Sequence, residues 1–379
     1  MLKITIAGDF CPIYRVAEQL NKEDYSFFDS IKGLVEDSDY AIVNLECPVV
    51  ETEAKPIKKC GPNLRTISKV VNSIRYGGFD GVTLANNHFR DFGDEGCRTT
   101  INELKCQNVD YVGGGSNLAE AQKILYKEVK GKKLAIVNFC ENEFSIATAT
   151  RAGSAPLDSV DNYYQITEAR RNSDYVLVIV HGGHEHYQLP SPRMKKIYRH
   201  FIEIGADAVV NHHQHCYSGY EYYNGKPIVY GLGNFCFDSR ENRDSIWNEG
   251  YIVKISFSAD IAIELIPYIQ CSQTATIELL NSHQTSQFNQ RIEELNGIIA
   301  DDNLLEKSFN DFVITRKKMV MSIFASYHNR YLNAAANRSW IPYLLRDGEV
   351  KALENYIMCE SHRDVVSRVL SSLNNNKNV

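Results

Sequence analysis

Seven of the eleven histidines in this sequence fall between His181 and His215. Within that stretch, His212-His213-Gln214-His215 sets three imidazoles in four positions directly behind the apolar run Ala208-Val-Val. Packing gives no reason for such a cluster. Four other apolar runs end in comparable side chains. Ile4-Thr-Ile-Ala leads into Gly8-Asp9, and Tyr40-Ala-Ile-Val into Asn44-Leu45-Glu46. Gly81-Val-Thr-Leu is followed by Asn86-Asn87-His88 and Asp91, and Val176-Leu-Val-Ile-Val by His181-Gly-Gly-His184-Glu185-His186. Each alone has a bland reading: Asp9 as a turn or cap, Asn86-Asn87 as a loop, Glu46 before Pro48 as a solvated acid. Their joint occurrence at the ends of five apolar runs points to a metal site. Carboxylate, amide and imidazole donors without thiolate suit Mn²⁺, Fe²⁺ or Zn²⁺ and argue against a structural cysteine zinc site. Six candidate ligands exceed what one tetrahedral ion uses. Two ions about 3.5–4 Å apart, bridged by a carboxylate, would use them all and support hydrolysis.

Near-continuous apolar runs of this length suit strands covered on both faces, which favours α/β layering. Ligands of open α/β sheets bind beyond the carboxyl ends of the strands, where these donors stand. Helical patterns fill the gaps, at about 12–20, 64–76, 95–107, 117–123, 161–172 and 191–204. After Pro227 the pattern changes to Ile228-Val-Tyr-Gly, Gly250-Tyr-Ile-Val-Lys-Ile-Ser-Phe and Ile261-Ala-Ile-Glu-Leu-Ile, read as consecutive antiparallel strands with a hairpin turn at 257–261. Ser272–Gln290 is polar and reads as a linker, with some order at Ile277-Glu-Leu-Leu. Residues 290–320 and 345–373 show helical spacing. The expected division is therefore a main domain over 1–270 and a linker with a helical C-terminal region over 271–379, its last residues, 374–379, frayed.

Composition excludes other classes. The 379 residues are 44% hydrophobic and 23% charged, an ordinary globular balance. A net charge of −6 gives no footprint for a phosphate backbone, so no nucleic-acid partner is expected. The longest apolar stretches, such as Tyr175–Val180, fall far short of the roughly 20 residues of a membrane span. Met1–Gly8 reads directly as a strand with no signal peptide ahead of it. Ten scattered cysteines without a CxxC fit reduced thiols, and with the missing signal they give a cytoplasmic expectation. Gly113-Gly-Gly115 lacks the Lys-Ser/Thr of a P-loop, so ATP-dependent ligation by this chain alone is not expected.

Gly8-Asp9, Asn44-Leu45-Glu46, Asn86-Asn87-His88 with Asp91, His181-Gly, Gly205-Ala206-Asp207, His212-His213-x-His215 and Gly231-Leu-Gly-Asn-Phe235 occur in the order found in the CapA family. These are bacterial capsule-synthesis or poly-γ-glutamate-synthesis proteins with a calcineurin-like metallophosphoesterase fold, and the resemblance covers about residues 1–270. It implies a four-layer α/β/β/α sandwich around two metal ions, with a C-terminal helical appendage here. By position, Asp9 and His215 would hold one ion, Asn87, His181 and His213 the other, and Glu46 would bridge them. His88 resembles the general acid, with Asp91 as its orienting partner. His184, Glu185, His212 and Asn234 are expected to contact substrate or support the ligands, and His186 and His200 to be plain surface or core histidines. Four features depart from the wider pattern. Cys11 stands where the superfamily has a histidine, so one ion is held more weakly or Cys11 itself contributes. Glu46 replaces the superfamily's usual aspartate, while Gln214 and Gly183 replace a proline and a tryptophan common in the family. Many members also carry an amino-terminal anchor, and none is expected here.

The resemblance thus implies a soluble dinuclear-metal hydrolase acting on a phosphoester or related bond, with an anionic small-molecule or polymer substrate. A second expectation is a non-catalytic accessory subunit binding an anionic polymer or capsule-synthesis partner proteins. A third is an enzyme of γ-glutamyl amide bonds. The basic run Lys55-Pro-Ile-Lys-Lys59 reads as solvated surface charge in preference to a substrate contact.

Overall fold

A computed structural model of the protein describes residues 1–51, 54–59, 61–324, 329–342 and 350. The chain lays down four parallel strands first: β1 (Leu2–Phe10), β2 (Tyr40–Leu45), β3 (Gly81–Thr83) and β4 (Asp110–Val112). Helices α1 (Tyr14–Asn21), α2 (Asp29–Glu36), α3 (Lys69–Tyr76) and α4 (Gly93–Cys106) fall between them. The chain then crosses to a second sheet. A two-residue strand, β5 (Gly114–Gly115), and α5 (Leu118–Ala121) precede β6 (Leu125–Val129) and β7 (Lys132–Cys140). Next come β8 (Gly153–Ser154), which pairs with β5, then α6 (Ser159–Asn172), β9 (Tyr175–His181), α7 (Pro192–Glu203), β10 (Ala208–His212), β11 (Tyr220–Tyr223) and β12 (Lys226–Val229). Finally β13 (Glu249–Phe257), β14 (Ala262–Gln270) and β15 (Ile277–Leu279) return to the first sheet, followed by α8 (Ser282–Ala300), α9 (Asp302–Phe324) and α10 (Arg330–Asn337).

The first sheet has the order β15-β14-β13-β1-β2-β3-β4, and the second β11-β12-β10-β9-β7-β6. Alternation along the strands explains the layers. Ile4 and Ile6 of β1, with Tyr40 and Ile42 of β2, join the core shared with β7, β9 and β10. Ala41 and Val43 turn the other way, against Val16, Phe28, Ile31 and Val70 of the helical side. Residues of α6 and α7, among them Ile166, Tyr198 and Phe201, pack on the second sheet. The result is the α/β/β/α sandwich that the resemblance implied, and each fully buried Val, Leu, Ile or Phe side chain contributes about 1.5–3 kcal/mol to it.

Several sequence expectations are revised in detail. The Ile228 strand is not part of an antiparallel series with β13 and β14. It lies in the second sheet, parallel to β10, because the nonlocal pairing of Val209 with Ile228 outranks chain order. The hairpin at 257–261 does join β13 to β14. Within 272–290 the chain forms β15 and the start of α8, whose Asn281 cap and Gln284 satisfy each other's backbone N–H groups. Phe288, Ile292, Leu295 and Ile299 of α8 enter the main core, so the first compact unit runs from Met1 to Phe309. The second unit begins at Asn310 and contains the remainder of α9 and α10. Most of the helix expected over 345–373 lies outside the described residues. Among the described residues no helix is long and apolar enough to cross a membrane.

Candidate metal centre

The motif at Gly8-Asp9 is a junction between two segments. A Cβ on Gly8 would stand 2.0 Å from the Gly233 carbonyl oxygen, so only glycine allows this approach. The Asp9 N–H donates to that carbonyl at 3.2 Å, and the Phe235 N–H donates to the Asp9 carbonyl at 2.7 Å. A register shift between Ala7 and Asp9 turns the end of β1 toward the second sheet. There the Asp9 carboxylate accepts from Asn44 Nδ2 at 2.8 Å and from the His213 backbone N–H at 3.1 Å. Strand register aligns the remaining donors: Asp9 lies opposite Asn44 in the first sheet, and His181 opposite His212 in the second.

Around this junction two groups of three converge, Glu46 with His181 and His213, and Asp9 with Glu46 and His215. Glu46 belongs to both. Its Oε1 stands 3.7 Å from His181 Nε2 and 3.7 Å from His215 Nε2. His181 Nε2 is 3.1 Å from both Asn87 Oδ1 and His213 Nδ1. His213 and His215 hold their backbones at φ of 91° and 54°, a conformation costly for non-glycine residues and common where function dictates it. Gln214 between them is buried and ties the turn to the Tyr187 and Leu189 carbonyls through Nε2.

Burial and mutual proximity shift the titration of these groups strongly. Burial would raise the Asp9 pKa, but His212, with its Nδ1 at 3.3 Å from Oδ1, and His181 and His215 together hold it far below its usual value. Burial, then the negative charges of Asp9 and Glu185, push Glu46 well above its usual value. Burial and neighbouring His213 hold the His181 pKa down, while burial lowers His215 to about 4. Neutral imidazoles are the ligating form. Neither oxygen of the fully buried Glu46 carboxylate has a hydrogen-bond partner among the described residues. Leaving such a group unmatched is expensive unless a cation completes it. The donor set therefore fits two divalent ions.

Asn234 fixes one imidazole. Its Nδ2 donates to the His215 and Trp247 carbonyls, so its Oδ1 accepts from His215 Nδ1 at 2.9 Å. That leaves the His215 Nε2 lone pair toward Glu46, whose Oε1 is 3.7 Å away. Asn234 is fully buried, with its side chain bonded to the His215 ring. His212 likewise bears on Asp9. Glu185 lines a cavity of about 320 Å³ together with His88 and His215. His184 instead packs its ring against Phe309, 5.4 Å away. His200 is exposed beside Glu203, and His186, also exposed, stands 5.8 Å from Trp247 at the cavity's edge. Cys11 is fully buried beside the Cys47 thiol, with its pKa raised by burial and by that thiol, and it belongs to neither group of three.

His88 and Asp91 face each other at 2.7 Å between Nδ1 and Oδ2. Asp91 Oδ2 also accepts from the Leu64 N–H at 2.6 Å, and Asp91 Oδ1 is ion-paired with Lys59. Lys59 Nζ lies 3.1 Å from His88 Nδ1. The Lys59 side chain is 2% exposed, so this member of the basic run is not solvated surface charge. Lys55 and Lys58 are exposed. Sequence reasoning also leaves Asn44, Asn86, Ser145 and Glu143 without roles. Asn44 Oδ1 accepts from Thr83 and Asn86, both at 3.1 Å; Ser145 Oγ donates to the Asn87 carbonyl at 2.7 Å; Glu143 stands 3.7 Å from His213 Nε2. Asn44 and Asn86 stand inside the strand-end motifs, whereas nothing local marks Ser145 or Glu143.

The molecule is thus an α/β/β/α sandwich with a buried carboxylate–imidazole cluster where the strands of both sheets end. A family profile described as bacterial capsule synthesis protein PGA_cap matches residues 3–239, and the chain belongs to that family. It is 32% identical over 246 residues to the capsule biosynthesis protein CapA of Bacillus anthracis, covering 62% of this chain and 60% of that one. It is 34% identical over 255 residues to the PGA biosynthesis protein CapA of Bacillus subtilis (strain 168), covering 65% and 66%. The chain therefore spans less than two thirds of either relative's length. A probable polyglutamine synthesis accessory protein of Mycobacterium tuberculosis is 30% identical over 168 residues, covering 41% and 44%. Among solved structures, a hypothetical protein from Thermus thermophilus aligns over 71% of this chain and 99% of its own, at 14% identity and a TM-score of 0.45.

Proposed function

We propose that the protein is a dinuclear-metal-dependent hydrolase acting on a phosphoester or related bond of an anionic substrate, within capsule or poly-γ-glutamate polymer metabolism. The observation that carries the proposal is the buried Glu46 carboxylate, unmatched by any hydrogen bond and set at equal distance from the imidazoles of the two groups. Asp9 and His215 would hold one ion, Asn87, His181 and His213 the other, and Glu46 both. When bound, such a pair polarises the scissile group and lowers the pKa of water to near neutral.

The chain's own residues supply the rest. His88 shares its cavity with His215 and turns Nδ1 to Asp91, which accepts that N–H and favours the ring orientation in which Nε2 faces the cavity. A protonated His88 then donates from Nε2 to the leaving oxygen, a role worth about 10²–10⁴-fold in rate. Asn234 and Asn44 hold His215 and Asp9 in place. The names of the relatives favour a second reading, an accessory component of polymer synthesis that binds without turnover.

One experiment separates the two. Protein loaded with Mn²⁺ is assayed on bis(4-nitrophenyl) phosphate, and its metal content is measured for the wild type, His213→Ala and His88→Ala. The hydrolase reading expects two metal equivalents and turnover in the wild type, loss of metal in His213→Ala, and loss of turnover with metal retained in His88→Ala. Two equivalents without turnover on any phosphoester would support the accessory reading. Full metal content in His213→Ala would contradict the ligand assignment.

A further inference from the structure

The cavity beside the metal centre carries a cation that neither the ligands nor the acid His88 use. Three arginines stand around the Phe237–Glu241 segment of its wall, Arg15, Arg240 and Arg243, and of these Arg240 lines the cavity itself. Two are committed to Asp238. Arg15 reaches its carboxylate through Nε at 3.1 Å and Nη2 at 2.9 Å and also bonds the carbonyls of Cys271 and Ser272; Arg243 pairs with the same carboxylate. Arg240 is different. Among the described residues its guanidinium bonds no carboxylate or carbonyl, and it lies 4.7 Å from the centroid of the Tyr14 ring. Tyr14 opens α1 with φ at 50°, a backbone conformation that is costly for an aromatic residue. Both side chains are exposed, and both line the cavity that holds His88 and His215. Glu185 lines it as well, close enough to Glu46 and His215 to act on their charge, and Glu241 lies on the outer rim. A second cavity of about 800 Å³, holding Asn21 and Arg65, continues from the first and shares Ile13, Tyr14, Pro62 and Leu64 with it.

A guanidinium lying over a phenol ring is fixed through its face, and its edge N–H groups can still reach a carboxylate or phosphate. We propose that Arg240, seated on Tyr14, is a specificity-determining residue that binds a second anionic group of the substrate, carried beyond the scissile bond where the cavity opens into the longer groove. This rests on the hydrolase reading of the cleft, yet its binding step is measurable without turnover.

The probes are three 4-nitrophenyl phosphodiesters whose other ester arm ends in a carboxylate, the matching methyl ester or a phosphate. Binding is read by quenching of Trp247, which lines the cavity, in protein carrying Trp340→Phe to remove the exposed second tryptophan and His88→Ala to suppress turnover. Initial rates are measured in parallel with an otherwise wild-type chain. The expected result is about tenfold tighter binding of an anion-terminated diester than of the methyl ester, the effect of one charge-assisted pair. Arg240→Met should abolish the preference without weakening methyl-ester binding, and Arg240→Lys should restore part of it. The phosphate and carboxylate arms show which anion is favoured. Equal binding of all three diesters, binding of none, or a preference that survives Arg240→Met would overturn the proposal. Charge-selective binding without turnover by any form would leave it standing and sink the hydrolase reading; turnover without charge selectivity would do the reverse.

Discussion

His181 Nε2 and His213 Nδ1 face each other at 3.1 Å in the buried interior of the protein. Two imidazolium ions cannot share that space, and burial together with this neighbour holds His181 in its neutral form. Asn87 Oδ1, 3.1 Å from the same His181 nitrogen, adds an oxygen donor. These three donor atoms and the Glu46 carboxylate converge on one region, where under the proposal an ion would sit.

The metal-free protein should respond to pH in a way that isolates Glu46. Its pKa is raised above the ordinary 4.5, so the folded state keeps a proton that the unfolded chain loses, and stability falls as pH rises beyond about 4.5. His215 works in the opposite sense: lowered to about 4 from 6.5, it makes stability rise with pH between those values and adds no slope above 6.5. Asp9, lowered from 3.8, contributes stability that is complete above 3.8 and is lost only in stronger acid. Between pH 6.5 and 8 the Glu46 effect therefore stands nearly alone among these groups. Glu46→Gln should melt higher than the wild type in chelator, by a margin that is larger at pH 8 than at pH 5. Mn²⁺ should raise the wild-type melting temperature and leave that of the variant unchanged. A pH-independent margin in thermal denaturation would contradict this account.

Asn234 touches an imidazole through a single hydrogen bond, but that bond selects the tautomer of His215. Asn234→Ala should weaken binding at the Asp9–His215 position by about 10–100-fold, the usual cost of losing such a partner. The other position should be affected less. Titration calorimetry with Mn²⁺ would then resolve two unequal sites, whereas an unchanged isotherm would show that Asn234 has no influence on the ligand.

Much of this architecture is legible in the chain. Apolar runs such as Val176–Val180 announce strands because both faces are covered, and their ends carry donors that have no packing value. What stays hidden depends on distant partners. Lys59 looks like Lys55 and Lys58 until Asp91, 32 positions on, is folded against it. The polar texture of 282–290 masks α8, because the stripe of Phe288, Ile292, Leu295 and Ile299 starts late and the cap at Asn281 is a side-chain relationship. α2 escapes the sequence pattern since only Ile31 and Val35 of its eight residues are buried, too few to register as a period.

Gly8→Ala tests the junction on which the site is built. The added methyl would meet the Gly233 carbonyl at 2.0 Å, a backbone atom that cannot rotate away. Relief requires the 233–235 segment to move off β1, which disturbs Asp9, Asn234 and so His215. Loss of metal affinity is expected together with a stability loss of about 1–3 kcal/mol, the usual scale of overpacking. Chemical denaturation and metal titration on the same sample would check both. A stable variant with normal metal content would show that this approach is not needed.

Magnitude decides between the two readings of Lys59. As solvated charge, its loss would cost about 1 kcal/mol at most. Its side chain is instead 2% exposed and its partner Asp91 is fully buried, so Lys59→Met takes the ion-pair partner from Asp91 Oδ1 in the interior, leaving the carboxylate its Oδ2 bonds to Leu64 and His88. Removing one partner of such a pair typically costs about 3–5 kcal/mol. The double variant Lys59→Met/Asp91→Asn should recover a large part of that loss, since the neutral amide leaves no unpaired charge. Urea denaturation of the wild type, both single variants and the double variant completes the cycle. A small loss in Lys59→Met, or strictly additive losses in the double variant, would return Lys59 to the surface and remove it from the support of His88.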